Sequence, residues 1–283
     1  MDVNQKDNYN VLGKMNIGRA LGIGAGIAVG AYLTKEYIRR QKRFLGNYSP
    51  LIDQVDILTD GVKNERWLFY WDDEERCEVA TRQKLDVNGN IITRTHLVFE
   101  FLEDQVRIGR YVDEAELPEE MTFIYLNEYD VITSVVRVRE GEPEEVWRAD
   151  INGAELSRLY TDSTADQMLW KDGNLEQITY GKEQIKQRMT YYRDAENYLF
   201  PDINFFATGF GEDMVCTYML GIRSRHFLRN MIRTGADFHQ QLHLSYLLDS
   251  FDRPVQILIE QTELRDGITT DTNKEFDIRY KRI

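Results

Sequence analysis

A hairpin unit recurs along this chain from about residue 65 to the end, and it constrains the fold more than any other feature. Each copy has an aromatic-rich strand with alternating apolar and polar side chains, a turn containing Asp, Asn or Gly, and a second alternating strand. Copies begin at Trp67, Phe123, Met168 and Leu242. Alternation places successive side chains on opposite faces of a sheet. The repeat therefore predicts a series of hairpins, and it specifies no reaction.

Tight turns separate the strands. Asp60-Gly61, Asn88-Gly89 and Asp172-Gly173 are dipeptides typical of short hairpin loops. Strands spaced by about 8–12 residues, without long helical segments between them, are typical of an antiparallel meander. We therefore predict an all-β fold with minor helix, in which residues 47–283 form a single curled antiparallel β-meander, barrel- or clam-like.

One stretch breaks the alternation. Pro201 and Asp202 resemble a helix start, and residues 214–231 are apolar with interspersed arginines. We predict a short helical insertion near 201–233 that covers one end of the sheet. It carries the one basic patch of an acidic domain, which is either a charge balance for the acidic turns or an anionic-ligand site formed by Arg223, Arg225, His226, Arg229 and Arg233.

The N-terminal segment, residues 1–46, contains a glycine-rich apolar run at 20–33 that we expect to be helical. On a helix, Gly18, Gly22, Gly26 and Gly30 share one face, and such a stripe allows close helix packing in a membrane. A signal-peptide core, a short membrane helix and a tail packed on the domain are the alternatives. The first two predict membrane contact through residues 17–38.

The flanks of this run bear on location. The five basic residues between 35 and 43 would keep the following domain in the cytoplasm if the run spans a membrane. The two cysteines are Cys77 and Cys216, so residues 1–76 lack the cysteine that a lipid anchor requires. Two buried thiols or, in an exported domain, one disulfide are the alternatives for the pair.

Composition and motifs exclude several functions. The net charge of −13 disfavours binding to nucleic acid. His239 and His243 are too few ligands for a metal site. There is no nucleophile elbow and no phosphate-binding loop, and carboxylates are too abundant to single out a catalytic pair. We predict no catalytic residue, cofactor or metal site.

Five segments together resemble a known family; they are Phe69–Arg76, Leu169–Leu175, Asn197–Phe206, Leu220–Arg225 and Tyr246–Ile257. The chain is similar over about residues 50–282 to a Bacteroidetes family of unknown function with a porin-like fold, whose hairpins are similar to YD-type repeats. The resemblance implies a curled antiparallel sheet and a location in the cell envelope, and it supplies no catalytic residues.

These observations favour an uncharacterised cell-envelope protein, exported or membrane-anchored, that serves as a non-enzymatic binding or scaffold module with a protein or glycan partner. A glycan- or lipid-acting enzyme with its site in the concave face of the sheet is one alternative. A cytoplasm-facing, membrane-anchored β protein is another. The strands are short and rich in charge, which disfavours a bilayer-spanning pore.

Overall fold

The computed structural model describes residues 51–127, 132–152, 155–204 and 223–281. These residues form sixteen antiparallel strands that pair in sequence order, and the last strand pairs with the first to close a barrel. The predicted all-β antiparallel fold is confirmed. The strands are β1 Ile52–Thr59, β2 Val62–Trp71, β3 Cys77–Leu85, β4 Ile91–Phe101, β5 Gln105–Val112, β6 Glu120–Leu126, β7 Ile132–Arg139, β8 Glu145–Asn152, β9 Glu155–Tyr160, β10 Ala165–Lys171, β11 Asn174–Tyr180, β12 Ile185–Glu196, β13 His226–Thr234, β14 Phe238–Leu248, β15 Pro254–Arg265 and β16 Ile268–Tyr280.

Asp-Gly dipeptides form the tightest turns of the barrel. In Asp60-Gly61, Asp172-Gly173 and Asp266-Gly267 both residues have positive φ, between 49° and 79°. Two-residue loops of this kind match the right-handed twist of paired strands. Asn88-Gly89 lies in a longer loop, where the Asp86 carboxylate accepts hydrogen bonds from the backbone N–H groups of Asn88 and Asn90.

The barrel has two different ends. At the hairpin end, defined here by the turns that follow the odd-numbered strands, every connection is short. The insertion end carries the long connection between β12 and β13, and the described chain also begins and finishes there, where the Lys281 N–H donates to the Leu51 carbonyl over 2.9 Å. The start and finish of the described chain and the β12–β13 connection therefore lie at the same end of the barrel.

The inner face is apolar through the middle of the barrel and toward the insertion end. A circular barrel of sixteen strands would enclose an aqueous channel. Here the inward side chains at this level are almost completely buried, so side chains from different walls must cover one another. They include Val55, Phe69, Leu97, Ile108, Ile124, Val135, Ile178, Met231, Leu244, Ile257 and Phe276.

The outer face is polar along the length of many strands. Asp56 lies opposite Arg66 on one side and Asp277 on the other, in the middle of β1. On β15 and β16 the outward pairs include Glu260 with Asn273.

The insertion differs from the prediction. His226–Thr234, expected within a helical or folded insertion, is strand β13. A register shift against β12 leaves Arg229 without a partner in the pairing and buries the adjacent Phe227 and Leu228. This bulge removes the alternation by which a strand is recognised in a sequence. Residues 205–222, including Cys216, lie outside the described residues.

The beginning of the insertion folds into the barrel end. Leu199, Phe200 and Ile203 are buried, and Phe200 bridges to Leu51. Asp202, also buried, accepts hydrogen bonds from the Asn197 amide at 2.6 Å and from the Asn204 backbone N–H at 3.0 Å. This part of the insertion therefore closes the end as expected, although by an irregular segment.

The N-terminal predictions lie outside the described residues, and with them Gly18, Gly22, Gly26, Gly30 and the boundary at residue 46. Within the described residues, no helix has both the length and the apolar character needed to cross a bilayer.

Candidate functional site

The inner face changes from apolar to charged at the hairpin end. The change is visible along single strands, because inward positions alternate: Val106 and Ile108 of β5 are buried, and the next inward residue is Arg110. We name this polar region the vestibule and define it by its inward residues, which are Glu65, Arg82, Arg110, Glu120, Arg137, Arg139, Glu145, Trp147, Asp166, Tyr180, Gln187, Arg233, Gln240 and Glu263.

Part of the vestibule is reached by solvent, unlike the apolar layer next to it. The side chains of Arg110 and Glu263 are 39% and 24% exposed, whereas Val135 and Ile257 of the apolar layer are each 1% exposed. The vestibule is therefore partly open to solvent at the hairpin end and finishes against the apolar layer.

Ion pairs organise one side of the vestibule. The Arg82 guanidinium donates to Glu65 at 2.7 Å, and the Trp67 indole N–H donates to the same carboxylate at 2.6 Å. On β6, the Glu120 carboxylate accepts from Arg139 and is only 6% exposed. Each of these carboxylates therefore has an arginine partner from a neighbouring strand.

The other side contains buried polar groups around Tyr180. Burial raises the pKa of the Tyr180 hydroxyl, and the charge of Arg233 opposes that rise. Burial also raises the pKa of the Asp166 carboxyl, against the lowering effect of a hydrogen bond from the Gly181 N–H. The Arg233 guanidinium donates to the fully buried Gln187 side chain at 2.7 Å.

The rim of the vestibule is acidic. The turns at the hairpin end contain thirteen Asp and Glu residues, from Asp60 to Asp266, and one basic residue, Lys182. Like charges at the mouth of a recess raise the energy of an approaching anion. The rim thus disfavours polyanions, as the composition of the whole chain does.

The five residues predicted to form an anionic-ligand patch are spread along the length of the barrel wall. Arg223 and Arg225 lie at the insertion end, where they donate to the Asn197 carbonyl and to Glu196, and His226 contacts Asn174 beside them. Arg233 lies in the vestibule, seven residues along β13 from His226, or about 23 Å in an extended strand. Arg229, between them, stacks on Tyr192. The structure therefore distributes these side chains over separate environments.

No group of three His, Cys, Asp or Glu side chains within the described residues is arranged to hold a metal ion. Cys77 is fully buried.

Sequence reasoning missed the vestibule, although a signal for it existed. In β6, Glu120 and Thr122 lie on the same face of the strand as the buried Ile124. In β7, Arg137 and Arg139 lie on the same face as the buried Val135. The apolar face of successive strands thus becomes polar at the same end. Detecting it requires knowing which face of each strand points inward.

No protein-family model matches this sequence, and no curated protein matches it. Solved structures do share its fold. A porin-like protein from Bacteroides uniformis has 9% sequence identity and a TM-score of 0.62, over 81% of this chain and 96% of that protein. A porin-like protein from Bacteroides vulgatus has 14% identity and a TM-score of 0.51, over 82% of this chain and 99% of that protein. The chain therefore has a porin-like barrel fold.

Proposed function

We propose that this protein is a non-enzymatic binding module of the cell envelope, which holds its ligand in the vestibule. One observation carries the proposal: the inner face has a charged, partly solvent-exposed level at the hairpin end and an apolar layer behind it. A recess of this form can retain a ligand but gives it no passage through the barrel. The envelope location rests on the porin-like fold and on the apolar N-terminal run.

A catalytic role has less support. Glu65 and Glu120, carboxylates of the vestibule, accept hydrogen bonds from Arg82 and Arg139. Both carboxylates therefore already have an ion-pair partner within the barrel wall. We therefore place the glycan- or lipid-acting enzyme second.

The recess can be tested by thiol accessibility. In a Cys216→Ser background, Thr272→Cys introduces a thiol at a partly exposed position of β16, opposite Gln261, which is one inward position from Glu263 of the vestibule. The buried Cys77 is the internal control. We expect a water-soluble maleimide to modify residue 272 at least about tenfold faster than Cys77, because a thiol enclosed by the apolar layer cannot reach the reagent. Mass spectrometry of peptides gives both rates.

Two results would contradict the proposal. Equal rates at residue 272 and Cys77 would mean that the two levels of the inner face do not differ in access. Stepwise ion conductance of the purified protein in a planar bilayer would mean that the barrel contains a continuous passage.

A further inference from the structure

One wall of the barrel has an apolar outer face, although the outside is polar along many other strands. Across the adjacent strands β2 to β7, the pairing register places a row of outward residues side by side, and none of them is charged. The row is Tyr70, Val79, Val98, Gly109, Met121 and Val138. Tyr70 is 53% exposed and Val98 is 40% exposed. Contiguous apolar surface on a folded protein commonly marks a contact with a partner.

A second row lies beside the first, toward the insertion end. On its far side Phe123 pairs with Val136, and Val136 pairs with Val146 of β8. The same row begins with Glu100 and Arg107, whose side chains form an ion pair of 3.3 Å with each other. A partner that covered this row would therefore bury a neutral pair and not a single charge. We name these two rows the apolar wall.

The row that follows toward the hairpin end is uncharged as well. It contains Leu68, Thr81, His96 and Tyr111. The Thr81 hydroxyl and the His96 Nδ1 are 2.9 Å apart, and burial lowers the pKa of His96, so its ring is neutral at neutral pH. Tyr111 lies against Gly109, where an added side-chain carbon would approach the tyrosine ring to 2.8 Å. The ring therefore fills the gap that glycine leaves in the first row.

The opposite side of the barrel provides a contrast. A row of outward residues also crosses strands β12 to β16, and every member is polar. They are Thr190, Asn230, His243, Glu260 and Asn273. The two sides of the barrel therefore differ in their outer chemistry, and the apolar wall is a one-sided surface.

We propose that the apolar wall is the contact between two copies of this chain. Its seven strands, about 4.8 Å apart, make it about 29 Å wide, and three rows about 6.8 Å apart cover about 20 Å along the strands. This gives an uncharged surface of about 600 Å². With a polar rim around it, the area is close to the roughly 800 Å² per partner that a stable complex buries.

A second copy fits this surface because a two-fold interface joins a patch to itself, so an apolar wall meets an equally apolar one. The chain has a net charge of −13, and two copies repel each other at long range. The acidic turns of the hairpin end, however, lie beyond the ends of the strands that form the wall. Contact through the wall therefore keeps these turns out of the interface.

The test uses the whole chain in the cells that express it, in a Cys216→Ser background. Val98→Cys places a thiol one strand from the middle strand β5, near the centre of the wall and hence near its own counterpart across a two-fold axis. Thr190→Cys places one on the polar side and is the matched control. A membrane-permeant bis-maleimide links neighbouring thiols, and the fully buried Cys77 does not react.

We expect Val98→Cys to give a cross-linked dimer on a denaturing gel and Thr190→Cys to give none. Adding Val146→Glu to Val98→Cys should lower the yield at least about tenfold, because the interface would have to bury an unpaired charge. Adding Thr190→Glu should leave the yield unchanged. Val146 is outward and 43% exposed, so the thermal midpoint of Val146→Glu should change little and a lost cross-link reflects association and not unfolding.

The remaining outcomes overturn the proposal. Equal yields from Val98→Cys and Thr190→Cys would mean that the two sides of the barrel meet other copies equally often. A product that contains a different protein, identified by mass spectrometry, would make the wall a contact for that protein. A residue 98 thiol that forms no dimer and reacts with a water-soluble maleimide only after detergent is added would place the wall against lipid.

Discussion

At the scale of single residues, the outer face holds an unusually buried carboxylate. Asp56 is 2% exposed although it points away from the core. It accepts hydrogen bonds from Arg66 at 2.7 Å, Lys63 at 2.8 Å and Gln54 at 2.9 Å. Burial alone would raise the pKa of this carboxyl, but the bonds from the two cations outweigh it, and the pKa is lowered.

Replacing this carboxylate should destabilise the barrel. We expect Asp56→Asn to lower the free energy of unfolding at pH 7 by about 2 kcal/mol, because two cations lose a buried partner, partly compensated by water. Since the folded pKa lies below the ordinary 3.8, the unfolded chain binds the proton more readily. The contribution of Asp56 to stability is therefore fully present above the unfolded pKa of 3.8 and is lost as the pH falls through the folded pKa.

Urea unfolding between pH 2.5 and 7 measures both effects. Asp53→Asn changes an exposed carboxylate of the same strand and should shift stability by less than about 0.5 kcal/mol. If the two variants lose equal stability at pH 7, the contacts of Asp56 contribute nothing beyond an ordinary surface charge.

At the scale of elements, the hairpin turns could be predicted from local sequence, whereas strand β13 and the vestibule depend on contacts between distant parts of the chain. Asp60-Gly61 and Asp172-Gly173 marked two turns because few residue pairs tolerate positive φ. Strand β13 was missed since its bulge at Arg229 places two buried residues side by side. The vestibule was missed for another reason. The sequence shows which residues of a strand share a face, but which face points into the barrel is decided only when the barrel closes.

The turn between β15 and β16 offers a test of this local chemistry. Gly267 has φ of +77°, and an added side-chain carbon would meet no atom within 4 Å. We expect Gly267→Ala to lower the free energy of unfolding by about 1 kcal/mol through backbone strain alone. Gly267→Asn should cost less, because asparagine tolerates this conformation better than alanine.

Thermal or urea unfolding of both variants gives the comparison. Equal stability of the alanine variant and the wild type would show that the turn adopts another conformation in solution. A larger loss for asparagine than for alanine would contradict the explanation from backbone strain.

At the scale of the whole molecule, closure depends on one seam. Strand β1 pairs with β16, and the register places Leu58 opposite Glu275, both on the outer face. The seam joins residues more than two hundred positions apart, whereas every other strand pairing joins neighbours in sequence. Closure of the barrel therefore depends on the pairing between the two strands that are farthest apart in sequence.

A disulfide can probe the seam directly. In a Cys216→Ser background, Leu58→Cys with Glu275→Cys should cross-link under mild oxidation and stabilise the fold by up to about 5 kcal/mol, because the bond closes a very long loop of the unfolded chain. The pair Leu58→Cys with Arg279→Cys is displaced by four residues along β16, about 13 Å, and should not cross-link.

Non-reducing electrophoresis and the unfolding midpoint measure the two effects. Cross-linking of the displaced pair with the efficiency of the matched pair would contradict the register. Failure of both pairs to react would indicate that the first and last strands are apart in solution.

This seam also sets the order in which the protein can be made. During synthesis each hairpin can form as soon as its second strand leaves the ribosome, but β1 has to wait for the final strand. Until then the nascent chain has two open sheet edges and an uncovered apolar surface, both of which favour aggregation. Strand β16 is thus the element on which productive folding in the cell should depend most.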